Sequence, residues 1–233
     1  MIYQDINIAL EVFCAFMCLI LLVNLVIEKK KTASNQWFSC MLICNIVMIA
    51  GDWCDWFFSG KPGVIPYLAQ LLVALIAYYA MSGLLLYCVF RWLLVNIQQK
   101  REVRRIWIWV AKLITGVQVL IAITMPIHKI CYIDEQNRYV RGDNFLVAPV
   151  LPFVVYLIGM VLLIWHRKAF SKKEMFYLGL FTVIPLLAAI SQIALAQYST
   201  LNIAVSFGLL ITFTFIQSQQ DYHNEQKIKE LAL

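Results

Sequence analysis

Seven long apolar stretches, separated by short polar loops, occupy almost the whole chain. They run over residues 7–27, 35–58, 67–96, 106–125, 145–165, 175–195 and 201–217. A helix needs ~20 apolar residues to cross a hydrocarbon layer ~30 Å thick, and each stretch is near that length. With 62% of residues hydrophobic and 14% charged, there is too little polar surface to cover these segments in water. The sequence therefore predicts an all-α membrane protein with seven transmembrane helices. The longest loop, about 127–144, is too short to build a core of its own.

Orientation follows from the placement of basic residues. Lys29, Lys30 and Lys31 follow the first span; Lys100, Arg101, Arg104 and Arg105 the third; Arg167, Lys168, Lys172 and Lys173 the fifth. The opposite loops hold Lys61, Lys129, Arg138 and Arg141, offset by Asp134, Glu135 and Asp143. This asymmetry predicts a cytoplasmic C-terminus and an outside N-terminus. The net charge of +6 is thus a topology signal rather than a nucleic-acid footprint, and no nucleic-acid partner is expected. Span one has an acidic Asp5, no basic leader and no small-residue cleavage site, so it is expected to be a retained helix.

Local signals refine the picture. Thr32, Ser34 and Asn35 are good N-cap residues for span two. Arg91 and Trp92 are expected at the inner interface, and Lys112 can snorkel. Pro126 closes span four, and Pro185 should kink span six. Between spans four and five, Cys131-Tyr132-Ile133 and Tyr139-Val140-Arg141 flank a polar turn, which predicts a small outer β-hairpin able to lie over the bundle. The seven cysteines read mainly as small core residues, with a Cys54–Cys131 disulfide left open. Residues 218–233 are polar and free of Pro and Gly, so the last helix should continue into the cytoplasm. The division expected is 1–217 as the membrane domain and 218–233 as the start of a cytoplasmic helix leading into a further domain.

The buried charges carry the most chemical information. Glu11 on span one, and Asp52 and Asp55 on span two, map to the outer third of the bilayer. Ionisable groups there are costly and usually face the bundle interior. Asp52 and Asp55 are three apart and share a face, with Trp56 beside them. Gln70, Gln192 and Asn202 can reach the same depth, and Arg138 and Arg141 could descend from the hairpin. These nine residues form the candidate ligand site, with Ser206 of span seven a further polar partner; a hydrated interfacial cluster is the alternative. No metal site and no cofactor is expected. Span seven has no Schiff-base Lys for retinal, and His128, His166 and His223 lie outside the spans, away from any haem position. No nucleophile–base constellation or zinc-protease motif is present, so no enzyme activity is expected.

Several features together resemble the seven-helix membrane input modules found ahead of diguanylate cyclase or histidine kinase domains in Gram-positive, often gut-dwelling, bacteria. They are the hairpin's Tyr132-Ile133-Asp134 start and Tyr139-Val140-Arg141-Gly142 return, the basic turn from His166 to Glu174, the Pro185-containing span, and Phe215-Ile216-Gln217 leading into a Gln-rich helix. The resemblance spans essentially the whole chain. It implies a sensor domain in the bacterial cell membrane, working as a homodimer in contact with membrane lipid. Such a domain would respond to a small-molecule or lipid-soluble ligand and be covalently linked to a cytoplasmic output domain. A small-solute transporter is the alternative, disfavoured because the halves show no internal repeat. A membrane enzyme comes third.

Overall fold

The computed structural model describes residues 2–27, 32–61, 63–64, 66–194 and 200–231. Helix α1 spans Ile2–Ile27 and α2 spans Ala33–Phe58. Helix α3 is compound: an α-turn Tyr67–Gln70, a π-helical run Leu71–Ala77 and an α-segment Tyr78–Gln98. Then follow α4 (Ile106–Thr124), α5 (Val147–Trp165), α6 (Lys172–Ala194) and α7 (Thr200–Leu231). Among the described residues, five helical stretches are long and apolar enough to cross a membrane: Gln4–Ile27, Ala33–Phe58, Leu71–Gln98, Ile106–Thr124 and Val147–Trp165. Thr200–Phe215 is a shorter apolar helix. The architecture is that of an all-α, multi-pass membrane protein.

Helix ends follow local chemistry. The Thr32 hydroxyl accepts the Asn35 N–H at 3.1 Å and caps α2. Ser171 and Glu174 form a reciprocal capping box at the start of α6: the Glu174 N–H donates to the Ser171 hydroxyl at 3.2 Å, and the Ser171 N–H donates to the Glu174 carboxylate at 2.7 Å. Helix α2 stops at Ser59, and Gly60 turns the chain with φ +72°.

The bundle is apolar outside as well as inside. Its core runs through Phe38, Met41, Leu42, Met48, Leu94 and Leu209. Phe13, Phe16, Val26, Trp109, Leu113 and Ile164 stand on the outer faces, each more than half exposed. A water-soluble domain does not present apolar surface on this scale; lipid is the medium such faces match. Helix α1 packs on α2 and α7, α3 on α2, α4 and α5, and α6 on α7. Trp92 is buried, 3% exposed, and meets Phe181 edge-on at 5.8 Å. Arg91 lies over the Trp37 ring at 4.9 Å, and Lys112 over Trp109 at 4.9 Å. Pro185 sits inside α6 and packs on Gly208 of α7.

Between α4 and α5, β1 (Cys131–Ile133) and β2 (Tyr139–Arg141) pair antiparallel, with Cys131 opposite Arg141 and Ile133 opposite Tyr139. Asn137 takes the left-handed turn position with φ +56°. Gly142 closes the loop against the Lys129 and Ile130 carbonyls, where a Cβ has no room. A second, smaller core of Leu75, Met125, Ile130, Cys131 and Ala148 lies beneath the hairpin.

Candidate functional site

One face of α1 carries Asn7, Glu11, Cys14 and Cys18 at spacings of four, three and four, and all four are buried. That spacing keeps them on one stripe of a helix, while Ile6, Phe13, Phe16 and Ile20 occupy the exposed face. The stripe faces α2 and α7 and there becomes a polar seam. Asn45 of α2 donates to the Ser206 hydroxyl of α7 at 2.8 Å and to the Cys18 sulfur at 3.3 Å. Ser206 donates to the Asn202 carbonyl at 2.8 Å, and the Asn202 amide donates to Asp52 at 2.7 Å. The result is a chain of contacts from mid-bundle to the acidic end of α2. Hydrogen bonds of this kind between helices replace contacts that lipid cannot offer.

At that end Asp55 sits against Asp52 and the Gln70 amide. The Gln70 nitrogen donates to the Asn137 carbonyl of the hairpin turn at 3.0 Å, and Asn137 reaches back to the Lys61 carbonyl at 3.5 Å. Gln70, at 0% exposure, and Asn137, at 4%, are both buried. On the inner face of the hairpin the Tyr79 and Tyr139 hydroxyls meet at 2.7 Å, and both lie within 3.7 Å of the Cys131 sulfur. Burial pushes the Cys131 thiol and the Tyr139 phenol up from their ordinary values, so both act as neutral hydrogen-bonding groups.

Two residues of α3 thus hold the hairpin, and the π-helical run is what lets them do so. Gln70 and Tyr79 are nine positions apart. Nine steps of about 100° on an α-helix would put them on opposite sides. Over Leu71–Ala77 the i→i+5 pattern turns roughly 80° per residue, which brings the two to within about 60° of each other. The same run aims the Val73 carbonyl at Gly51 of α2, where an added Cβ would lie 2.9 Å from it.

The structure brings together Asp52, Asp55, Gln70 and Asn202, and buries Glu11 on the α1 stripe beside Cys14. The Trp56 backbone carbonyl accepts from Gln4 of α1. The arginines sit within the hairpin: Arg138 pairs with Asp134 at 3.1 Å, and Arg141 lies over the Phe145 ring at 4.4 Å. The Arg138 backbone N–H, with its guanidinium in support, holds the Asp134 carboxyl below its usual range. The Gln192 side chain lies outside the described residues. Cys54 and Cys131 are free thiols. Among the described residues no group of three His, Cys, Asp or Glu side chains could hold a metal. Ser206, a polar partner the sequence offered, is in the seam; Asn45 and Asn137 complete it and were not expected there, and a lone amide in mid-span, such as Asn45, was the available signal.

The opposite end of the bundle holds a cavity of about 280 Å³ between α2, α3, α6 and α7, lined by Thr32, Asn35, Trp92, Asn96, Glu174 and Phe215. Lys100 closes its rim, bound to Glu174 at 2.7 Å and lying over Phe170 at 4.8 Å. No family model matches this chain, and neither a curated protein nor a solved structure is similar to it at a significant level.

Proposed function

We propose that this chain is a membrane-embedded sensory input domain of the seven-helix kind, with its acidic end and hairpin outside and its C-terminus in the cytoplasm. The observation that carries this reading is α7. It is one unbroken helix from Thr200 to Leu231, 32 residues and therefore ~48 Å long, well beyond a ~30 Å hydrocarbon layer. Near its start it shares the buried seam through Asn202 and Ser206. A ligand that rearranges the seam acts on the helix that leaves the bundle. A bias between two bundle arrangements then reaches a kinase or cyclase output as a rigid shift or rotation. The basic loops support the orientation, and the polar continuation of α7 suits pairing in a homodimer in a bacterial cell membrane. The experiment is a two-glycine insertion after Ser218 in a fusion to a reporter kinase. Each glycine costs a helix about 1 kcal/mol and softens it, so the response should be lost while expression persists. An unchanged response rejects transmission through α7.

Buried Glu11 and the seam favour a second reading, a proton-coupled small-solute carrier. Uptake of labelled solutes into proteoliposomes driven by a proton gradient separates it from the first.

A further inference from the structure

The basic end of the bundle carries a groove that the polar seam does not explain. Val154, Leu157, Ile158, Val161, Leu162 and Trp165 of α5 keep the i, i+3, i+4, i+7 spacing and so form one continuous helix face. With Trp107 of α4 they wall a groove of about 210 Å³, lined by aliphatic and aromatic side chains alone. Leu157, Val161 and Trp165 are 41%, 56% and 76% exposed, so the groove opens to the surroundings of the bundle. From Trp165 to Val154 the face runs ~16 Å along the helix, about half of a ~30 Å hydrocarbon layer. The groove therefore reaches from the membrane surface to mid-bilayer, the depth of a lipid chain anchored in one leaflet.

Charge frames its surface end. Arg104 and Arg105 stand just before Trp107, and Arg167 and Lys168 just after Trp165; all four are exposed. Among the described residues the ion pairs are Lys100–Glu174 and Arg138–Asp134, so no carboxylate pairs with these four. Glu102 is the single acid in the loop between α3 and α4. Helix α4 also starts with Arg105 in the cap position, with no side-chain cap and no acidic residue in its first turn. Two guanidinium groups thus sit at the positive end of a helix dipole, where an anion is favoured and a cation is not.

We infer that α4 and α5 form a binding site for an anionic phospholipid. One acyl chain lies along the α5 face, and the phosphate headgroup meets Arg104, Arg105, Arg167 and Lys168 at the start of α4. Apolar wall and basic rim match the two parts of such a molecule, in the order in which it carries them. A zwitterionic lipid fills the groove as well, but the cation of its headgroup is repelled by the rim. The site requires only that the chain sit in a membrane; it depends neither on the sensor reading nor on which leaflet the basic end faces.

The test uses the purified chain in phosphatidylcholine nanodiscs, with tryptophan fluorescence quenched by phospholipids brominated on the acyl chain. Trp107 and Trp165 lie in the groove wall, and subtracting the Trp107→Phe/Trp165→Phe variant isolates their signal. Brominated phosphatidylglycerol should half-quench that signal at a mole fraction about tenfold below brominated phosphatidylcholine, the factor that one or two basic groups supply at a membrane surface. Arg104→Gln/Arg105→Gln and Arg167→Gln/Lys168→Gln should each cut the preference at least about threefold. Leu157→Phe/Val161→Phe fills the groove, keeps every charge and should abolish the preference. Arg101→Gln/Lys172→Gln/Lys173→Gln removes three charges from the same end of the bundle, outside the site, and should leave it unchanged. In wild type alone, total quenching must already show the preference, which keeps the test open if a variant does not fold. Equal quenching of wild type by the two lipids overturns the site. So does a preference that survives filling of the groove, one that falls as far in the Arg101/Lys172/Lys173 variant as in the paired variants, or displacement of the lipid by inorganic phosphate.

Discussion

Gly51 shows how much one missing methyl group can decide. It lets α2 approach the Val73 carbonyl of the π-helical run, and a Cβ there would stand 2.9 Å from backbone that cannot swing away. Gly51→Ala should therefore lower stability by about 1–3 kcal/mol, as overpacking does. Gly116→Ala on α4, with nothing within 4 Å of the added carbon, should be neutral or stabilising by up to about 1 kcal/mol. Unfolding of both variants in detergent by denaturant checks the pair. Much of the candidate site was readable at this scale. Glu11, Asp52, Asp55, Gln70 and Asn202 lie in apolar runs, where the cost of facing lipid leaves only the interior. The partners were less readable. Arg138 was offered to the carboxylates of α2, but Asp134, four residues away across a tight turn, is already in reach. Asn137 meets Gln70 across 67 positions of sequence, and no local pattern announces such a contact.

Among the elements, α6 begins with the most explicit signal in the chain. Ser171 and Glu174 cap the helix, and Glu174 also binds Lys100 at the end of α3. Partial burial works to raise the Glu174 carboxyl, but the Lys100 ammonium and the Ser171 N–H outweigh it and hold the group below its ordinary 4.5. A lowered value stabilises the folded state above 4.5, and the gain disappears as pH falls through the lowered value. Wild type should thus be more stable than Glu174→Gln at neutral pH, by no more than about 1 kcal/mol for a pair this exposed, and the difference should shrink as pH falls below 4.5. Thermal unfolding of the two proteins across that range measures it. Ser171→Ala should cost about 1 kcal/mol at any pH by removing the cap. The helices themselves were plain in the hydropathy, and the Thr32 cap in residue type. The π-helical run was not, because Leu71–Ala77 reads as ordinary apolar helix and is revealed only by its contacts with α2 and the hairpin.

For the whole molecule, the proposed orientation depends on basic residues clustered at one end. Single cysteines placed in a cysteine-free background and treated with an impermeant thiol reagent on intact cells should react at Lys61 and Gln136. They should stay unreactive at Arg104 and Lys172. Labelling at Arg104 from outside would reverse the topology and put the acidic end in the cytoplasm. The first basic loop, Lys29–Lys31, lies outside the described residues, so Arg104 and Lys172 are the sites that decide. The rough limits of the five long apolar helices followed from composition, because lipid demands length and apolarity above all. Which helices touch did not follow, since packing between apolar faces leaves no mark in a hydropathy profile.

The unusual winding of α3 also bears on chain length. Were one residue between Gln70 and Tyr79 deleted, the eight remaining steps of a plain α-helix would set those two side chains about 80° apart, close to where the π-helical run sets them now. The extra residue is therefore absorbed locally, without turning the rest of α3 away from α2 or the hairpin. It has the geometry of a tolerated one-residue insertion. A related sequence that preserves the hairpin contacts is free to differ here by a single-residue gap, and Gly51 is the position released from constraint when it does.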